Sequence, residues 1–214
     1  MSGVATEASI YIDRIYAPVT TLGPGERIAL WTSGCSKRCE GCANPELWEA
    51  RPDQAVEPKW LADTLNDMAK RTGIHRLTVT GGDPLEQPEA LAAVLEAVRP
   101  AFDDILVYTG YTAYRLAEVL SPAVRDRLRP LVDVLVDGPY VAALNDGRCA
   151  LRGSANQSVI VRTPSLQNVY DDEVRKPRRI QNAVFDGRAF SIGIHGRPQE
   201  EQGDGSVQRG EDAD

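Results

Sequence analysis

The sequence lacks the features that place a protein in a membrane, outside the cell or on a nucleic acid. Its 214 residues contain no apolar run close to the ~20 residues that a membrane-spanning helix needs. The first residues show no charged segment followed by an apolar core, so no secretory signal is expected. There is no basic run and no stripe of Lys and Arg among aromatics. We therefore expect a cytoplasmic protein that binds neither a membrane nor a nucleic acid.

Histidine and cysteine are also scarce, with two and four residues. His75 and His195 lie far apart in the sequence, so neither is an obvious general base. Three of the four cysteines, in contrast, fall within eight residues. In a reducing compartment such crowding favours a metal site over disulfides. The fourth, Cys149, stands alone in a predicted loop, and we expect it to be a bystander.

The length predicts one domain, and it is too short for a complete eight-unit α/β barrel of roughly 250 residues. The net charge of −7 is concentrated in residues 200–214, which hold six acidic residues and one arginine. Residues 196–214 are polar and have no apolar periodicity, which predicts a disordered acidic tail. The folded domain is therefore expected at residues 1–195.

Segments of strand and helix type alternate along the chain. Strands are predicted at 9–16, 27–33, 75–80, 104–109, 131–136 and 156–162, helices at 58–71, 87–98 and 112–120, and a hairpin at 178–194. This alternation is typical of βαβ units with a mainly parallel sheet. Sites in such folds gather at the carboxyl ends of strands. We expect the cysteines and the glycine-rich strand ends to meet on one rim.

The cysteine cluster has the spacing Cys35-x3-Cys39-x2-Cys42. Thiolates on one compact loop suit an iron–sulfur cluster, and three of them leave one iron of a four-iron cluster without a protein ligand. Gly34 and Gly41 would let the loop turn tightly. A structural zinc site is the alternative, but zinc prefers four closed ligands, often in paired Cys-x2-Cys units. The spacing favours iron–sulfur.

The cysteine array followed by Gly81-Gly82-Asp83-Pro84 resembles the radical S-adenosylmethionine enzymes. Further motifs, in order between about residues 20 and 160, more closely resemble the anaerobic ribonucleotide reductase activating proteins. These motifs are Gly23-Pro-Gly-Glu-Arg27, Gly41-Cys-Ala-Asn-Pro-Glu46, Tyr108-Thr-Gly-Tyr111, Leu135-Val-Asp-Gly-Pro139 and Leu151-Arg-Gly-Ser-Ala-Asn-Gln157. Several ordered motifs are more specific than one, and together they disfavour zinc.

The resemblance implies an α/β incomplete TIM-like barrel of about five to six mainly parallel strands with one open side. It implies a 4Fe-4S cluster on Cys35, Cys39 and Cys42, with S-adenosylmethionine chelating the open iron. An electron from the reduced cluster would then release methionine and a 5′-deoxyadenosyl radical. The cofactor supplies this chemistry, and the protein supplies orientation and a dry pocket.

The resemblance also assigns the cofactor contacts. Gly81, Gly82 and Asp83 match the strip that holds the methionine amino group, where glycine permits close approach. Thr109 and Asp137, at later strand ends, are expected to contact the methionine carboxylate and the ribose.

The expected function is to generate a glycyl radical on a partner protein such as an anaerobic ribonucleoside-triphosphate reductase. A flavodoxin or ferredoxin would supply the electron. Two alternatives remain open: a stand-alone radical enzyme acting on a peptide or small molecule, and a non-catalytic iron–sulfur or zinc protein. Arg152 and Asn156-Gln157 are either substrate-side groups or loop residues whose polar atoms are satisfied within the loop.

Overall fold

The structure is a computed structural model that describes residues 9–185 and 187–195. The strands are β1 Ile10–Val19, β2 Arg27–Thr32, β3 Ala55–Val56, β4 Arg76–Gly81, β5 Asp104–Tyr108, β6 Val134–Asp137, β7 Ser158–Val161, β8 Ile180–Phe185 and β9 Arg188–Gly193. The helices are α1 Pro58–Thr72, α2 Pro88–Val98, α3 Ala113–Val119, α4 Pro122–Leu128 and α5 Gln167–Val174. The predicted acidic tail lies outside the described residues. Within them, no helix is long and apolar enough to cross a membrane.

Seven of the described strands form one sheet in the order β3-β1-β2-β4-β5-β6-β7, and β8 pairs with β9 in a separate hairpin. The four central strands β2, β4, β5 and β6 are parallel to one another. The outer strands β1, β3 and β7 are antiparallel to their neighbours. The predicted α/β class, with a mostly parallel central sheet and a C-terminal hairpin, is confirmed. The two-residue β3 is too short to leave a sequence pattern.

The helices cover the sheet because their apolar residues recur at helical spacing. Leu61, Leu65 and Ala69 form the buried face of α1, and α2 packs beside it in the same core. Pro58 begins α1, and Gly73 ends it with a left-handed backbone at φ 71°. The strands β2 and β6 are buried along their whole length, which explains their near-continuous apolar sequences.

A buried ion pair fixes the N-terminal ends of the parallel strands. Arg27 at the start of β2 is fully buried, and its Nη1 lies 2.7 Å from Oδ2 of Asp104 at the start of β5. The Arg27 Nε donates to Thr78 Oγ1 of β4 at 2.6 Å, and the Tyr170 hydroxyl of α5 donates to Asp104 Oδ1 at 2.8 Å. Buried charges are tolerated only when they are paired and hydrogen-bonded in this way.

The C-terminal hairpin packs on the β1–β2 side of the sheet. Its residues Ala183 and Ile192 join a buried cluster with Val19, Leu22, Ala29, Trp31 and Leu47. The Thr21 hydroxyl donates to the Ile192 carbonyl oxygen at 2.9 Å. The hairpin is where the sequence predicts it, although Asp186 of its turn lies outside the described residues.

Candidate functional site

A cavity of about 340 Å³ lies at the carboxyl ends of the parallel strands. The thiols of Cys35, Cys39 and Cys42 line it, all on the loop that follows β2. The later strand ends contribute Gly81 and Gly82 at the end of β4, Thr109 and Gly110 after β5, and Gly138 after β6. The structure thus brings together the strand ends that the sequence predicts to share one rim.

The cysteine loop turns two backbone N–H groups towards the Cys35 sulfur. Burial raises the pKa of the Cys35 thiol, and the backbone N–H groups of Lys37 and Arg38, which donate to it, act in the opposite direction. Arg38 has a left-handed backbone, with φ 46°, as does Gly41, with φ 70°. Turns of this kind point successive N–H groups inward and form anion-binding concavities. The three cysteines are half-buried, and all of them line the cavity.

The two glycines at the end of β4, Gly81 and Gly82, lie against the base of the cysteine loop. The Gly82 N–H donates to the Thr32 carbonyl at 2.7 Å, and the Asp83 N–H donates to the Gly34 carbonyl at 2.8 Å. A Cβ atom on Gly81 would lie 2.3 Å from the Thr32 oxygen, and one on Gly82 would lie 2.5 Å from the Gly34 oxygen. No other residue fits this close approach. Gly81 and Gly82 therefore form part of the cavity wall and also support the cysteine loop.

Asp83 and Asp137 lie behind the cavity wall, and their carboxylates bond the protein itself. Asp83 is buried and accepts from the Thr109 hydroxyl at 2.9 Å and from the Gly110 N–H at 2.9 Å. Asp137 accepts from the Ala113 N–H at 2.6 Å and from the Ser158 N–H at 3.2 Å. The other three of the five predicted cofactor contacts line the cavity, namely Gly81, Gly82 and Thr109.

The other candidates, Cys149, Arg152 and Asn156, are not among the residues that line the cavity. Cys149 is buried in a separate apolar cluster with Leu106, Val134, Leu151 and Tyr170. The Arg152 guanidinium donates to the Gln157 carbonyl at 3.2 Å, and the Asn156 amide donates to the Pro139 carbonyl at 2.8 Å. Cys149 therefore does not join the three clustered thiols. For Asn156 the structure favours the loop interpretation, whereas the buried Arg152 Nε has no hydrogen-bond partner among the described residues. Gln157 lines the cavity, and its side-chain amide bonds the Gly153 N–H and the Gly138 carbonyl at 2.8 Å each.

The structure adds site residues that the sequence analysis gave no role. Five consecutive residues at the end of the hairpin, 191–195, line the cavity. Lys37 also lines it, from the stretch between the first two cysteines. No sequence signal connects the hairpin with the site, because the contact exists only after β9 packs on Trp31 and Leu47. Lys37 stands within the cysteine motif in the sequence, but the sequence does not show which side chains it contacts.

Among the described residues, no three His, Cys, Asp or Glu side chains are close enough to hold a single metal ion. The three thiols nevertheless share one cavity with the glycine strip. These features define an α/β protein whose three-cysteine loop and parallel strand ends surround a common site. Soft thiolates on such a loop are the ligand type that iron–sulfur clusters use.

Comparison with known proteins identifies the family. Residues 21–160 match the family described as the 4Fe-4S single cluster domain, and the chain belongs to this family. The matched range includes the cysteine loop and the strand ends but not α5 or the hairpin.

Similar curated proteins share one name, anaerobic ribonucleoside-triphosphate reductase-activating protein. The relative from Vibrio cholerae is 38% identical over 154 residues, which cover 67% of this chain and 94% of the relative. The relative from Salmonella typhimurium is 40% identical over 156 residues, with the same coverage. The one from Enterobacteria phage T4 is 34% identical over 149 residues, covering 68% and 90%.

Proposed function

We propose that this chain is a radical S-adenosylmethionine activating enzyme that generates a glycyl radical on an anaerobic ribonucleoside-triphosphate reductase. The observation that carries the proposal is the shared cavity of Cys35, Cys39, Cys42 and the Gly81-Gly82 strip. The names of the curated relatives support the choice of partner. A flavodoxin or ferredoxin is the proposed electron donor.

The donor set fits a 4Fe-4S cluster with one open iron. Cys35, Cys39 and Cys42 would hold three irons, and Cys149 is packed elsewhere in the apolar cluster around Leu151. A reduced cluster held there would supply the single electron needed to cleave S-adenosylmethionine to methionine and a 5′-deoxyadenosyl radical. The cavity volume of about 340 Å³ is in the range of small-molecule sites.

The chain's own residues would bind and orient S-adenosylmethionine. The backbone carbonyls of Gly81 and Gly82 are proposed to accept from its amino group, because no side chain separates them from the cavity. The Thr109 hydroxyl is proposed to lie near its carboxylate or ribose. Asp83 and Asp137 are proposed to act indirectly, without contacting S-adenosylmethionine. The Asp83 carboxylate would hold the Thr109 hydroxyl in place, and the Asp137 carboxylate would hold the start of α3. Trp31 and Trp48 line the same cavity and would exclude water.

We also propose that the sheet curves as an incomplete barrel around this cavity. Support comes from the lining, which includes residues after β2, β4, β5 and β6 together with the end of β9. An incomplete barrel leaves one side where the glycine-bearing segment of a partner protein would enter.

The test combines the reconstituted, reduced protein with S-adenosylmethionine and the anaerobic reductase of the same organism. We expect an organic radical on the reductase, seen by electron paramagnetic resonance, which disappears when the reductase glycine is replaced by alanine. Cleavage of S-adenosylmethionine without a radical on any reductase would point to the alternative, a stand-alone enzyme acting on a peptide or small molecule. A chain that holds zinc and no sulfide would reject both.

A further inference from the structure

Lys37 lies at the centre of a compact charge cluster beside the cysteine loop. Its ammonium is 2.9 Å from Asp83 Oδ2 and 2.6 Å from Glu86 Oε1. It also lies 3.0 Å from the centroid of the Tyr111 ring, in a cation–π contact. The side chain is only 13% exposed. Charge-assisted contacts of this kind are stronger when they are shielded from water.

The cluster joins three segments that are far apart in sequence. Lys37 belongs to the cysteine loop, Asp83 and Glu86 follow β4, and Tyr111 follows β5. The side-chain stem of Lys37 crosses Gly110, where a Cβ atom would lie 3.1 Å from the lysine Cδ. Gly110 therefore leaves the space in which the lysine extends across the rim.

Both carboxylates are held in position by other groups. Asp83 accepts from the Thr109 hydroxyl and from the N–H groups of Gly110 and Leu85, the last at 3.0 Å. Glu86 accepts from the hydroxyl of Ser36, the loop residue next to Lys37, and from the Tyr111 hydroxyl at 3.3 Å. The carboxylates are thus fixed points on the strand ends, and Lys37 ties the loop to them.

We propose that Lys37 is a positioning residue that fastens the stretch between Cys35 and Cys39 to the ends of β4 and β5. It also partly neutralises two carboxylates that lie beside the cysteine loop. The three charges sum to −1 with the lysine present and to −2 without it. The proposal uses the cluster ligands of the proposed function but does not depend on cleavage of S-adenosylmethionine.

The first experiment compares Lys37→Met, Lys37→Arg and the control Lys59→Met after anaerobic reconstitution. Lys59 is an exposed lysine of α1 paired with Asp63. We expect Lys37→Met to lose iron to a chelator several-fold faster than the wild type and to have a more negative midpoint potential. Lys37→Arg should restore the potential, and Lys59→Met should leave both values unchanged. If Lys37→Met matches Lys59→Met in both measurements, the proposal is wrong.

The second experiment adds Asp83→Asn alone and together with Lys37→Met. Asp83→Asn should shift the potential to more positive values, and the double variant should return towards the wild-type potential, because its charge sum is again −1. The effects on iron loss should be strongly non-additive, since both changes break the same contact. Additive effects on iron loss would show that Asp83 and Lys37 act separately and would overturn the proposal. Because these readouts concern the cluster alone, they are informative even if no 5′-deoxyadenosine is formed.

Discussion

The backbone of Gly82 lies so close to Gly34 that a Cβ atom on Gly82 would be 2.5 Å from the Gly34 carbonyl oxygen. Gly34 directly precedes Cys35, so a side chain at position 82 has to displace the base of the cysteine loop. We predict that Gly82→Ala binds much less iron and sulfide than the wild type after reconstitution, measured by metal and sulfide analysis.

The matched control for this change is Gly73→Ala. Gly73 has a left-handed backbone, but nothing lies within 4 Å of an added Cβ. This variant should lose about 1–2 kcal/mol of stability from backbone strain and still bind iron fully. If Gly82→Ala binds as much iron as Gly73→Ala, the close approach does not govern the loop.

The ion pair of Arg27 and Asp104 predicts a large loss of stability when one partner is removed. Arg27→Gln leaves a buried carboxylate without its cation, and we expect the free energy of unfolding to fall by about 3–5 kcal/mol in urea titrations. Lys59→Gln, which breaks the exposed pair with Asp63, should leave the free energy of unfolding nearly unchanged. Equal effects in the two variants would contradict a structural role for the buried pair.

We expect a substitution in the C-terminal hairpin to lower both the stability of the protein and its affinity for S-adenosylmethionine. Ile192 is 1% exposed and lines the cavity, so Ile192→Ala should lower the free energy of unfolding by about 2–5 kcal/mol and weaken binding of S-adenosylmethionine. Val184 on the same hairpin is 67% exposed, and Val184→Ala should change stability by less than about 0.5 kcal/mol and leave binding unchanged. Wild-type affinity in Ile192→Ala would show that the hairpin is not a wall of the binding site.

Tyr108 offers a test of a buried polar group that has no partner. Its hydroxyl is buried without a hydrogen-bond partner among the described residues, and burial raises its pKa well above the ordinary value. The side chain packs against the apolar cluster that contains Cys149 and Leu151. Tyr108→Phe removes the unpaired hydroxyl and keeps the ring, so the variant should be at least as stable as the wild type in urea titrations. A clear loss of stability in Tyr108→Phe would contradict this.

Much of the fold can be predicted from the sequence because its signals are local. The apolar runs of β2, β5 and β6, the proline and glycine at the ends of α1, and the hairpin are all visible in the residues. The antiparallel pairing of β1 and β7 is not, because strand direction depends on connections rather than composition.

For the candidate site, the sequence predicts which strand ends meet but not which groups face the cavity. Asp83 follows two glycines in a motif, yet its carboxylate is turned to Lys37 and Thr109. The hairpin reaches the site only through long-range packing of Ile192. Such contacts are set by the folded core and leave no pattern in adjacent residues.

The most direct test of the proposed activity is an anaerobic assay for 5′-deoxyadenosine. The wild type and Cys39→Ala are reconstituted with iron and sulfide, reduced with dithionite and incubated with S-adenosylmethionine, with and without the reductase. We predict 5′-deoxyadenosine from the wild type and none from Cys39→Ala, which should also fail to assemble the complete cluster. No product from a fully loaded wild-type protein in the presence of the reductase would contradict the proposal.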